Sequence, residues 1–196
     1  MSLTFEKSQQ KSYGKGIYVD NAKIIGIEDK TGEQRFEKTP DLFLVLKLSI
    51  PGISFEPTVE LAGNFKRDDN GQVTGWGGAY AVRDLFHTFG IKGELNADYT
   101  LPDSVLEQLV GKDVMRLTYV SKKKEDGSNK LSYSTWTKLA IADESEEGKQ
   151  KFADSFVAEW QKTGYPKNYH PEILDNESIT FPGPDVPASS PDEDYI

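Results

Sequence analysis

From Asp41 to Ile50 the chain alternates Leu42, Leu44, Leu46, Leu48 and Ile50 with Phe43, Val45, Lys47 and Ser49. That period of two predicts a strand with a buried leucine face. Pro51-Gly52 interrupts it, and the alternation resumes from Thr58 to Phe65, with Val59, Leu61, Gly63 and Phe65 on one side. Upstream, Ile17 to Glu28 is rich in Val, Ile and Tyr and meets the turn cluster Asp29-Lys30-Thr31-Gly32, so it also reads as a strand. Asp113 to Ser121 sets Met115, Leu117 and Tyr119 against Val114, Arg116, Thr118 and Val120. Past the polar loop Lys122 to Lys130, Leu131 to Ile141 completes a hairpin.

The period changes between these strands. Val82, Leu85, Phe86 and Phe89 recur at helical spacing and Gly90 supplies a stop, which predicts a helix over 79–89. Leu101-Pro102-Asp103-Ser104 starts a second, short helix ended by Gly111. After the acids Asp143, Glu144, Glu146 and Glu147, the spacing of Phe152, Phe156, Val157 and Trp160 predicts a C-terminal helix with negative charge at its favourable end. Beyond Pro171 the chain turns to Pro, Gly, Ser and acids, too little apolar surface to offset ordering entropy. The reading is therefore a flexible N-terminus at 1–12, a binding domain over 13–142, a helical extension over 143–171 and a disordered acidic tail over 172–196.

The expected fold is mostly β: a five-stranded barrel with a helix between strands 3 and 4 and an additional C-terminal helix. That order is the layout of the OB-fold. Charge qualifies its use. The chain carries a net charge of −9, but seven of its acids lie in residues 172–196, which hold no Lys or Arg. Residues 1–142 carry nineteen acidic and nineteen basic side chains, so the body is neutral. There is no cysteine, and the two histidines, His87 and His170, share no metal-ligand spacing. No metal and no cofactor is expected. No window reaches the length of a membrane helix and the start lacks a secretory pattern, so the expected location is the cytoplasm.

Three basic groups are placed to converge. The first interstrand loop carries Lys30, Arg35, Phe36 and Lys38; the last hairpin carries Lys122, Lys123, Lys124 and Lys130; Lys66 and Arg67 close the third strand. Lys47, Arg116 and Lys138 lie on strands. OB-folds take oligonucleotides or oligosaccharides across strands 2 and 3, and a single-stranded nucleic acid held there would also need π faces for its bases. Phe43 opposes the leucine face, and Trp136 shares a face with Lys138, which favours it over Tyr133. Trp76, in Gly75-Trp76-Gly77-Gly78, is either a contact or a plug at the barrel end.

Leu109-Val110-Gly111-Lys112 entering a strand, the Lys-rich hairpin and the Trp136 strand make Tyr13 to Ile141 resemble the OB-fold single-stranded DNA-binding proteins of bacteriophages. The terminus Asp192-Glu193-Asp194-Tyr195-Ile196 resembles the acidic, hydrophobically ended tip of such proteins. The resemblance implies non-sequence-specific binding of single-stranded DNA during replication or recombination. It also implies a tail that competes with DNA and docks replication or recombination proteins. No phosphate-binding glycine motif or nucleophile elbow occurs, so an enzyme is not expected. An OB-like interaction or structural module and a metal-dependent nuclease stand as alternatives.

Overall fold

The computed structural model describes residues 11–33, 40–93, 95–96, 100–122 and 131–175. The short β1 (Ser12–Gly14) precedes β2 (Ile17–Asp29), β3 (Leu42–Ser49) and β4 (Thr58–Gly63). A small ribbon of β5 (Lys66–Arg67) and β6 (Val73–Gly75) leads into α1 (Tyr80–Thr88) and α2 (Asp103–Leu106). β7 (Asp113–Lys122), β8 (Leu131–Thr135) and β9 (Ala140–Ile141) follow, then α3 (Glu146–Thr163). None of the described helices is long and apolar enough to cross a membrane.

Five strands in the order β4-β3-β2-β7-β8, every neighbour antiparallel, curl into a nearly closed barrel. β1 adds to β2 and β9 to β7. α1 packs against both β4 and β9, bridging two edges of the sheet, and buries Val82, Leu85 and Phe86 in the interior. The even-numbered leucines of β3 form the centre of that interior, as their alternation predicts.

β2 changes sides along its length. Ile24 pairs with Leu48 and Gly26 with Lys47, so Ile25 is the extra residue of a β-bulge. Upstream, Ala22 and Ile24 face the interior core, whereas Ile17 and Val19 belong to a second core on the outer face. Downstream the parity is reversed: Ile27 packs on the interior, and Gly26 and Glu28 stand outside.

α3 builds the second core. Phe152, Phe156 and Trp160 recur every four residues and with Ala153 cover Ile17, Val19, Met115, Leu117 and Tyr119 on the outer face of β2 and β7. The Ser145 hydroxyl accepts from the Gly148 N–H (3.0 Å), and Asp143 in turn accepts from the Ser145 N–H and hydroxyl (2.8 and 2.6 Å). The helix is thereby capped where its amides lack partners, with Glu146 and Glu147 in its first turn. Past it, Pro171–Asp175 makes one helical turn whose Ile173 packs on Val120, so the packed chain runs beyond position 171.

Two strand ends differ from the periodic reading. The expected strand to Phe65 stops at Gly63, where the backbone of Gly78 lies so close that a Cβ would sit 2.3 Å from its carbonyl oxygen. The expected strand Leu131 to Ile141 is broken after Thr135 and resumes only at Ala140.

Candidate nucleic-acid interface

Because the bulge turns the second half of β2 over, its outward residues join those of β3 and β4 in one surface. Three rows run across it. Gly26, Lys47 and Thr58 form one, Glu28, Val45 and Glu60 the next, and beyond them Phe43 lies opposite Ala62, its carbonyl accepting from the Lys30 N–H (2.8 Å). α3 covers the outer face of β7 and the first half of β2 instead.

Lys30 and Lys47 thus share a surface. Glu28 stands between them: its Oε1 pairs with the Lys47 ammonium, and its Oε2 lies 3.7 Å from that of Lys30. Lys30 also reaches Glu33 at 3.6 Å. The hydrogen bond and charge of Lys47 hold the Glu28 carboxyl below its ordinary range, and Glu28 raises Lys47 reciprocally. With Glu60 on the same face, its two lysines are matched by two carboxylates.

Lys66 and Arg67 stand at the edge of this surface. Asp41, just before β3, accepts from Arg67 (3.0 Å) and from the Phe65 N–H (2.9 Å), while Arg67 also donates to the Gly71 carbonyl (3.1 Å). Lys66 is exposed and has no ion pair among the described residues. The Lys30 turn and the Lys66–Arg67 pair therefore meet around the start of β3. The last hairpin does not start there. Tyr119 of β7 pairs with Ile17, at the far end of the thirteen-residue β2, roughly 40 Å along the strand from Asp29.

Five expected contact residues are buried or engaged away from a ligand. Phe43 is fully buried, because the second face of β3 is covered at that position as well as the leucine face. Arg116 lies 7% exposed on the interior side, paired with Asp20 at 2.9 Å directly across the β2–β7 register. Trp136 packs edge-on against Phe156 and Trp160, with ring centroids 5.9 and 5.6 Å apart, because α3 occupies the outer face where a base would stack. Trp76 is the plug rather than the contact, wedged between Phe65 and Phe86 at 5.6 and 6.3 Å. Lys138 reaches Glu159 of α3 at 3.5 Å, away from the Lys47 surface.

Arg35, Phe36, Lys38, Lys123, Lys124, Lys130 and the tip Asp192, Glu193, Asp194, Tyr195 and Ile196 lie outside the described residues. Lys122 ends β7 opposite Leu131, and its side chain lies outside them too. Glu28 and Asp41 were missed by the sequence reading. Glu28 had a signal: a carboxylate two positions before Lys30 at a strand end shares its face. Among the described residues no three histidine, aspartate or glutamate side chains gather into a metal site. Comparison with protein-family models and with curated proteins finds no match.

Proposed function

We propose that the chain binds single-stranded DNA without sequence preference along the outer face of β3 and β4, and protects it during replication or recombination. The observation that carries this reading is the division of the outer surface. α3 covers β7 and the first half of β2, while the face over β3 and β4 bears Lys30 and Lys47, with Lys66 and Arg67 at its edge. We read the five barrel strands as those of an OB-fold-like barrel, with α1 between the third and fourth and α3 added after the fifth. In such barrels the second and third strands are the ligand face. The acidic tail belongs to the same proposal, as a competitor for that face and a docking peptide for replication or recombination proteins. A second reading, a protein-interaction module, draws support from the carboxylates already facing Lys30, Lys47, Arg67 and Lys138.

Tryptophan quenching is a poor assay here, since Trp76, Trp136 and Trp160 all pack into the two cores. Anisotropy of end-labelled oligo(dT), at about 50 and about 300 mM salt, reads binding directly. Micromolar or tighter binding that weakens with salt, with duplex far weaker, supports the proposal. A flat anisotropy at the lower salt removes it in favour of the interaction module.

A further inference from the structure

We infer that Glu28 limits phosphate binding on the β3–β4 face, because one carboxylate holds both of its lysines and must be exchanged for phosphate before either can serve. The inference rests on the nucleic-acid reading above and names the residue that sets its strength. Oε1 of Glu28 engages Lys47 and Oε2 engages Lys30, so a single side chain ties together cations from two strands. Lys47 is the register partner of Gly26, one residue pair before Glu28 and Val45, and its ammonium reaches Glu28 on the same face.

The contrast with Asp41 identifies Glu28 as the functional one of the two acids. Asp41 accepts the Phe65 N–H and so joins the start of β3 to the chain after β4. Glu28 accepts from no backbone group among the described residues; its partners there are the two lysines. Removing its charge therefore leaves the barrel intact, frees Lys47 and leaves Lys30 with Glu33 alone among its ion-pair partners in the described residues. An exposed pair of this kind contributes little to folding, but a freed ammonium releases about 0.7 counterions for each single-strand phosphate it meets.

The test compares wild type, Glu28→Gln, the charge-matched control Glu107→Gln, and Glu28→Gln combined with Lys47→Ala, each with labelled oligo(dT). Glu107 is exposed on the helical turn that follows α2 and makes no ion pair among the described residues. Glu28→Gln is expected to bind at least about fivefold more tightly at about 50 mM salt, with a salt slope steeper by ~0.7 for each lysine freed. Glu107→Gln leaves affinity and slope as in wild type, and Lys47→Ala removes most of the gain. Equal affinities and slopes for Glu28→Gln and wild type, or an equal gain from Glu107→Gln, overturn the inference while leaving the function in place. Binding by Glu28→Gln alone, with none by wild type, overturns the function and supports the inference. If neither binds, both are overturned.

Discussion

The Arg116 guanidinium donates to the Asp20 carboxylate at 2.9 Å, and the two residues are register partners on β7 and β2, each side chain about one-tenth exposed. Both face the barrel interior, since Ala22 and Val114 on the same sides of their strands belong to the interior core. Such a pair is poorly placed to meet phosphate and costly to break. Asp20→Ala or Arg116→Ala is expected to lose ~3 kcal/mol of stability by taking the ion-pair partner from a buried charge, whereas replacing both with apolar residues restores most of it. Urea denaturation of the three variants measures this. DNA affinity of the folded fraction should not change.

Trp136→Ala is expected to destabilise the protein by ~3 kcal/mol, because the indole packs edge-on against both Phe156 and Trp160 of α3. Trp136→Phe should lose less. Thermal unfolding with near-ultraviolet circular dichroism distinguishes this from a stacking role, which would lower DNA affinity and leave the melting temperature alone.

These two residues mark where the sequence stopped being legible. Alternation located β3 and β7 closely, and the leucine face of β3 lies inside as expected. Period two assigns sides, however, and says nothing about whether the second side is covered. Phe43 and Trp136 were both placed outward, and one is fully buried while the other is packed under a helix. The clue was present in α3 itself: a stripe of Phe152, Phe156 and Trp160 requires an apolar surface, and Met115, Leu117 and Tyr119 on one side of β7 provide it. The side-switch at Ile25 had no such clue, because a bulge shows in pairing register rather than in composition.

Alkaline pH should loosen the seat of α3. The Tyr13 hydroxyl donates to both oxygens of Glu146 at 3.1 Å, and burial, followed by that hydrogen bond, pushes its pKa up to about 12. Burial does the same for Tyr133, beside Tyr18. Each phenol is harder to ionise folded than unfolded. Its contribution is whole below pH 10.0, the ordinary value, and is lost as pH rises through about 12. Glu146 is held below its ordinary 4.5, first by the hydrogen bond from Lys11 and then by Tyr13, so its smaller contribution is present above that value and lost on acidification. Near-ultraviolet circular dichroism should stay level between these limits and change above pH 10.0. Tyr13→Phe should shrink the alkaline change.

Gly63→Ala should destabilise the barrel by ~1–3 kcal/mol, since its new methyl meets the Gly78 backbone rather than a side chain that can rotate away. Gly71→Ala is a useful comparison. Its Cβ meets open space, and any loss there comes from its φ of +80°. Guanidinium titrations of both variants separate crowding from backbone strain.

The extra residue at Ile25 lets one continuous strand serve two separate neighbours. Before it, the outward side chains of β2 are committed to holding α3; after it, the outward side chains carry the charges of the β3–β4 face. Deleting Ile25 would bring the pairing into step and keep Gly26 against Lys47, Ile27 against Leu46 and Glu28 against Val45. Drawing Ile25 into the ladder would instead turn Glu28 toward the leucines and Ile27 toward water, so the loss of the bulge alone would erase the charged face while leaving every strand in place.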